Sequence, residues 1–229
     1  MTHIVIPAQG KPWLTKAAVA AVRRTMRTES YSIAVIDGLA ADRDAWPTQG
    51  PRNHAAKLEW ARRHCPESAD LFFVMHSDAV PLCGGWLAWL RKRFRSGDAW
   101  ARFGTSMNVG SLYDITWLQH TPRTFDCAPN PGDQYRDLPG TQVPRNYEHL
   151  PWWLRNCEAY RDDAGNLVFA HLGGGTIGHT WYKRNRPALH RLNLRIPARL
   201  WPYLTRRWLI PYTSEAEHEK IAGAIRARA

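Results

Sequence analysis

The first half of the chain alternates short apolar runs with helical patterns, and this alternation constrains the fold more than any other feature. Runs rich in β-branched and aromatic residues predict strands at residues 3–8, 31–38, 70–78 and 99–106. Apolar residues at helical spacing predict helices at residues 14–28, 52–65 and 84–94. Strands that alternate with helices are typical of an α/β fold, in which helices flank a mostly parallel sheet.

The second half of the chain is less regular. Residues 108–165 are rich in Pro, Gly, Asn and Trp, which predicts a long irregular segment that is either functional or partly mobile. A capping-box pattern at Ser214–Glu217 predicts a closing helix. The 229 residues fit one compact domain. Within it we distinguish a regular half, residues 1–106, from an irregular and basic half, residues 107–229.

Polar or turn-forming residues follow the predicted strands. Pro7, Asp37 and the tip His76-Ser77-Asp78 each stand at a strand end. In open α/β sheets, ligands bind beyond the carboxyl ends of the strands. We therefore expect these residues to converge on one edge of the sheet. The simplest alternative is that the tip caps a core strand and binds nothing.

The order of these segments resembles the nucleotide-binding half of GT-A-fold glycosyltransferases of the large family-two type. The matching segments are "HIVIPA", "IAVIDG", "NHAAKLEWARRH" and "DLFFVMHSDAVPLCGGWLAWL", within residues 3–95. In that family a strand ends in Pro, an Asp closes the second strand, a helix contains Asn, and an apolar strand carries an Asp-x-Asp motif. The matching positions here are Pro7, Asp37, Asn53 and Asp78, with His76 in place of the first Asp of the motif.

The resemblance implies a metal-dependent hexosyltransferase. Asp78 would hold a divalent cation, Mn²⁺ or Mg²⁺, that bridges the diphosphate of a nucleotide-sugar donor, with a UDP-sugar expected. Asp37 would contact the nucleoside, and Pro7, Asn53 and His76 would complete the donor site. Residues 1–106 would then bind the donor and residues 107–229 the acceptor.

His171 follows the apolar run "NLVFA" and precedes three glycines. In many GT-A enzymes a late histidine completes the metal shell or touches the diphosphate, so the resemblance implies this role for His171, with His179 as a weaker candidate. Glycines let backbone amides approach phosphate oxygens closely. The alternative is a histidine at the edge of the core, beside a flexible turn.

An inverting transferase needs a carboxylate that accepts the proton of the acceptor hydroxyl. We choose Glu148, which lies near aromatic residues in "RNYEHLPWW". A retaining enzyme would need no such base. The second-half carboxylates considered for this role are Asp114, Asp126, Asp133, Glu148 and Glu158.

A second chemistry also uses these residue types. Non-haem iron oxygenases hold Fe(II) with two histidines and one carboxylate, and His76, Asp78 and His171 would satisfy that pattern. Arg184 would then bind the 2-oxo-acid cosubstrate. Such oxygenases are antiparallel double-sheet barrels, whereas this sequence alternates strands and helices, so we prefer the transferase.

The charge distribution suggests the acceptor. The formal net charge is +11, and no acidic residue occurs from Ala164 to Thr213. Basic residues interleaved with aromatics are typical of surfaces that track a nucleic-acid backbone and stack bases. By analogy with viral DNA glucosyltransferases, we expect DNA with a hydroxymethylated pyrimidine. The residues expected to contact it are Trp181, Lys183, Arg184, Arg186, Arg206 and Arg207.

Other partners stay open at this point. The acceptor could instead be a protein, a glycan or a lipid, and the basic segment could serve a non-catalytic binding module or attach to a membrane surface. No apolar run approaches the roughly 20 residues of a membrane span. The N-terminus has no basic leader followed by an apolar segment. We therefore expect a cytoplasmic protein, in the host cytoplasm if it is viral.

Overall fold

A computed structural model gives the architecture of the chain. It describes residues 1–8, 12–36, 51–104, 109–125, 135, 138–144 and 158–172, together with residues 219, 222, 223, 225 and 227. The elements in this part of the chain are β1 (Thr2–Pro7), α1 (Pro12–Thr25), β2 (Tyr31–Ile36), α2 (Pro51–Arg63), β3 (Leu71–Met75), β4 (Ala79–Pro81), α3 (Trp86–Lys92), β5 (Trp100–Phe103), β6 (Gly110–Asp114), α4 (Ile115–His120), β7 (Gly140–Val143), β8 (Glu158–Arg161) and β9 (Leu167–His171).

The strands form two sheets. The larger has six strands in the order β2-β1-β3-β6-β5-β7, and the smaller has three in the order β4-β9-β8. In the larger sheet β1 runs parallel to β2 and β3, and β5 parallel to β7, whereas β6 is antiparallel to both β3 and β5. The smaller sheet is antiparallel. The α/β class is therefore confirmed. The six-stranded sheet is mixed, because β6 runs antiparallel to both of its neighbours, and its GT-A character stays a prediction.

The antiparallel direction of β6 follows from chain length. Only residues 104–109 connect β5 to β6, its neighbour in the sheet. A parallel neighbour would need a crossover of about a dozen residues or more, whereas an antiparallel neighbour needs only a short turn. The alternation of strands and helices before residue 106 does not reveal this connection, because β6 lies after that segment.

The second half is more regular than its composition suggests. Among the residues that the structure describes between 108 and 165, there are four elements: β6, α4, β7 and β8. Asp114, one of the base candidates, is the N-cap of α4, and its carboxylate accepts a hydrogen bond from the Trp117 N–H at 2.8 Å. This position gives Asp114 a structural role. Near the C-terminus, Glu219, Ala222, Gly223 and Ile225 are helical, as the capping box predicts.

The core lies on both faces of the larger sheet. Along β3, Phe73 and Met75 pack with α1 and α3 on one face, while Phe72 and Val74 pack with α2 and α4 on the other. A strand covered on both faces needs apolar residues without alternation, which explains the continuous run "LFFVM".

The smaller sheet is attached through aromatic packing. The ring of Phe169 on β9 stacks on Phe103 of β5 with centroids 4.3 Å apart, and both side chains are fully buried. Burial of one such ring contributes about 1.5–3 kcal/mol. This packing fixes β9, and the residue at its end, relative to β3. None of the helices in the described residues is long and apolar enough to cross a membrane.

Candidate metal centre

The His76-Ser77-Asp78 tip is a tight turn between the two sheets. It joins the end of β3 to β4, and the Ala79 N–H donates to the His76 carbonyl at 3.0 Å. Because β4 pairs with β9, Ala79 lies opposite His171, and the Leu172 N–H donates to the Asp78 carbonyl at 3.0 Å. Two segments far apart in sequence therefore meet at the carboxyl end of β3.

Three side chains converge at this point. Oδ1 of Asp78 lies 3.2 Å from Nε2 of His171 and 3.8 Å from Nδ1 of His76. The two imidazole rings stand 5.4 Å apart and tilted by 69°. One ligand atom from each of the three residues lies within 4.8 Å of the others. The Asp78 side chain is 3% exposed and that of His76 is 28% exposed, so the cluster opens toward solvent on the His76 side.

More polar groups surround the three. Oε2 of Glu158 lies 3.8 Å from Nδ1 of His171, and the Tyr160 hydroxyl donates to the same carboxylate oxygen at 2.5 Å. On the other side, the ring of His54 from α2 meets the His76 ring edge-on at 5.3 Å. Nζ of Lys57, also on α2, donates to the carbonyl of Ala8 at 2.6 Å, which ties this helix to the end of β1.

The charges of the cluster are unequal. Burial opposes protonation of His171, but the nearby Asp78 and Glu158 outweigh it and raise its pKa to about 10. Partial burial lowers the pKa of His76 to about 4, against the pull of Asp78. Burial likewise lowers the pKa of His54 to about 3. Without metal, these shifts favour the protonated form of His171 and the neutral form of His76.

The donor set fits a transition-metal ion. Two imidazoles and one carboxylate supply mixed nitrogen and oxygen donors, which suit first-row transition ions such as Mn²⁺ or Fe²⁺. Mg²⁺ prefers oxygen ligands throughout, so this donor set suits Mg²⁺ less well. A metal at His171 must displace the proton held there, because imidazole binds metals in its neutral form.

Of the other predicted site residues, two lie in described elements and the rest lie outside the described part of the chain. Pro7 is the last residue of β1 and Asn53 lies in the first turn of α2, so both belong to elements that end or begin near the site edge. Their roles stay predictions. The predicted residues that lie outside the described part of the chain are Asp37, Asp126, Asp133, Glu148, His179, Trp181, Lys183, Arg184, Arg186, Arg206 and Arg207.

Glu158 is the residue whose place sequence reasoning missed. From sequence, Glu158 is named only as a candidate base, yet the residue stands opposite His171 in the β8–β9 pair. A signal exists in the sequence: the turn-forming stretch "DDAGN" separates "EAYR" from "LVFAH". Read as a hairpin, this spacing brings Glu158 beside His171.

Comparisons with known proteins do not identify a family for this chain. No family model matches the sequence, and no curated protein matches it. Among solved structures, the fold is similar to the crystal structure of A197 from STIV, with a TM-score of 0.41 and 11% sequence identity over 73% of this chain and 92% of that chain. A likeness at this level establishes neither family nor activity.

Proposed function

We propose that this protein is a metal-dependent glycosyltransferase of GT-A type. One observation carries the proposal: the His-x-Asp tip and His171 meet at the carboxyl end of β3, beside the parallel strands β1 and β2. This is the sheet edge at which the resemblance of residues 3–95 places the nucleotide-sugar donor. Asp78 corresponds to the metal-binding carboxylate of the Asp-x-Asp motif.

In this proposal His76, Asp78 and His171 would hold Mn²⁺ at the diphosphate of a UDP-sugar. When bound, the ion would supply positive charge that offsets charge developing on the leaving nucleotide diphosphate. His76 replaces the first carboxylate of the motif, which lowers the negative charge of the site and exchanges an oxygen donor for nitrogen. Asp37 contacts the nucleoside, Pro7 and Asn53 shape its pocket, and Glu148 is the proposed base.

We expect the metal ion to bind first and the nucleotide-sugar donor to bind only to the metal-loaded protein. Mn²⁺ alone should raise the melting temperature, and UDP or a UDP-sugar should raise it further only when Mn²⁺ is present, because the ion links the protein to the diphosphate. A ligand at 100 times its Kd contributes about 2.7 kcal/mol, which corresponds to roughly 5–11 °C in a chain of this size. Thermal unfolding with Mn²⁺, Mg²⁺ and several sugar nucleotides measures this. A donor effect that is independent of metal would contradict the proposal.

A second candidate function is an Fe(II)/2-oxo-acid oxygenase. The observation in its favour is the donor set itself, two histidines and one carboxylate around one point. Against it stands the helix-flanked mixed sheet, where such enzymes have a double-sheet barrel. Incubation with Fe(II), 2-oxoglutarate and oxygen separates the two. Oxo-acid turnover without any sugar-nucleotide binding would replace the transferase by the oxygenase.

For the acceptor we propose DNA that carries a hydroxymethylated pyrimidine, in the host cytoplasm if the protein is viral. The support is the acid-free stretch Ala164–Thr213, with its eight lysines and arginines among aromatic residues. An enzyme that acts on a base in duplex DNA must extrude it, and aromatic residues can occupy the gap. Protein, glycan and lipid acceptors are the alternatives.

Sugar transfer to hydroxymethylated DNA is expected to add one hexose mass to the modified nucleoside. The test incubates the full chain with Mn²⁺, a panel of sugar nucleotides and either hydroxymethylated or unmodified DNA of the same sequence. Digestion to nucleosides followed by mass spectrometry detects the product. No mass gain with any donor would rule out the DNA acceptor, while metal-dependent hydrolysis of the donor would still support the transferase.

A further inference from the structure

Glu158 and His171 face each other across the β8–β9 pair, on the side of His171 away from Asp78. Nε2 of His171 lies 3.2 Å from Oδ1 of Asp78, whereas Nδ1 lies 3.8 Å from Oε2 of Glu158. The two nitrogens of an imidazole point in divergent directions. An ion bound to Nε2 beside Asp78 therefore lies across the ring from Glu158.

We propose that Glu158 is the positioning residue of the metal centre: it faces the Nδ1 proton of His171 and so fixes the tautomer and orientation in which Nε2 binds metal. Metal-bound histidines almost always direct their second nitrogen at a carboxylate, carbonyl or water, and these partners raise the basicity of the ligand. This inference rests on the metal centre of the proposed function, not on sugar transfer. Glu158 thereby has a role other than that of a general base.

Tyr160 and Gly104 hold Glu158 in place. The Tyr160 hydroxyl donates to Oε2 of Glu158 at 2.5 Å, and the Glu158 side chain is only 13% exposed. Gly104 has φ of +69°, and a Cβ there would stand 2.3 Å from the Tyr160 hydroxyl oxygen and 3.3 Å from Oε2 of Glu158. The absence of a side chain at this position gives the Glu158–Tyr160 pair its space.

The first test measures Co²⁺ and Mn²⁺ affinity of the full chain by calorimetry. Glu158→Gln is expected to weaken metal binding by about 10–100-fold, and Tyr160→Phe by a smaller factor, because it removes only the hydrogen bond to Glu158. The visible absorption of bound Co²⁺ should shift in Glu158→Gln while keeping the intensity of the wild-type site, since all three ligands remain. Glu67→Gln, at an exposed position, is the matched control and should change nothing.

The outcomes separate the alternatives. Unchanged affinity in Glu158→Gln would overturn the positioning role, and complete loss, equal to the loss in Asp78→Asn, would overturn it by making Glu158 a ligand. If the wild-type chain bound no metal, the proposed metal centre, and with it the positioning role of Glu158, would be overturned. A chain that binds metal with the expected Glu158 effect but never responds to sugar nucleotides would contradict only the proposed function.

A second variant displaces the Glu158–Tyr160 pair without replacing either residue. Gly104→Ala is expected to displace Tyr160 and Glu158 and to weaken Co²⁺ binding several-fold. Gly97→Ala is the control, because Gly97 has φ of +89° but nothing within 4 Å of its Cβ position. Both variants place a side chain at a left-handed backbone position and carry that penalty, so only the clash differs. Equal Co²⁺ affinity in the two variants would contradict the supporting role of the pair.

Discussion

Asp78→Asn is expected to abolish metal-induced stabilisation and to weaken Mn²⁺ binding by more than about 100-fold. Loss of a residue that only orients a metal ligand costs up to about 100-fold in affinity, and loss of the ligand itself should cost more. Oδ1 of Asp78 lies close to both His76 and His171, so this one oxygen links the whole donor set. The amide keeps the shape of the side chain but removes its charge. It also presents an NH₂ donor that cannot bind a cation.

The same substitution should also alter the metal-free protein. The Asp78 side chain is 3% exposed, and its charge helps to hold the proton of His171. Removal of one partner from a buried charge pair costs about 3–5 kcal/mol, but Glu158 still faces the ring, so we expect the lower part of that range. Urea unfolding without metal, together with Mn²⁺ titration, measures both effects. Glu67→Gln is the control, and wild-type Mn²⁺ affinity in Asp78→Asn would contradict the metal centre.

The tip of β3 was predictable because its causes are local. A run that is buried on both faces must be apolar throughout, and the polar residues that follow it must lie at the sheet edge. The strands β1 and β5, which are buried along their whole length, fall within predicted runs for the same reason, and the half-buried edge strand β2 also falls within a predicted run. His171 could be paired with this tip only through the resemblance or through the residue types of an iron triad. Its place depends on the pairing of β9 with β4, a strand of three residues that has no periodicity to detect.

The fold of the second half could not be predicted from sequence patterns, because it depends on contacts between residues that are far apart in the chain. Gly140 begins β7, and a Cβ there would stand 2.3 Å from the indole ring of Trp100 on β5. The glycine is therefore explained by close approach to a ring 40 positions earlier in the chain. In sequence it indicates only a turn. Glu158 is hidden in the same way as Gly140. Its place beside His171 depends on the register of the β8–β9 hairpin and not on the residues next to it in sequence.

Glu59→Gln is expected to lower the free energy of unfolding by about 3–5 kcal/mol, the range for breaking a buried charge pair. The Glu59 side chain is 4% exposed and accepts hydrogen bonds from Arg62 at 2.5 and 3.1 Å, from Nε of Arg63 at 3.1 Å and from the Phe125 N–H at 3.3 Å. Arg62 also donates to the carbonyl of Leu118 at 3.0 Å. The network joins α2, which carries His54, to α4 and the segment after it.

This contribution should disappear in acid. Burial alone would raise the pKa of Glu59, but the hydrogen bonds from Arg62, Phe125 and Arg63 outweigh it and hold the pKa below its ordinary value. A depressed carboxyl pKa stabilises the fold above the unfolded value of about 4.3, and the stabilisation is lost as pH falls through the folded pKa. The difference between wild type and Glu59→Gln should thus be largest above about pH 5 and shrink below about pH 4.

Glu29 provides a control of opposite sign. Burial is the largest influence on its carboxyl and raises its pKa, although Arg91 and the Ala88 N–H work the other way. Ionised Glu29 therefore disfavours the fold near neutral pH, and Glu29→Gln should leave stability unchanged or raise it slightly there. Urea midpoints for wild type and both variants from pH 3 to pH 8 test the pair. Equal pH dependence in the two variants would mean that net charge, and not the Glu59 network, governs acid unfolding.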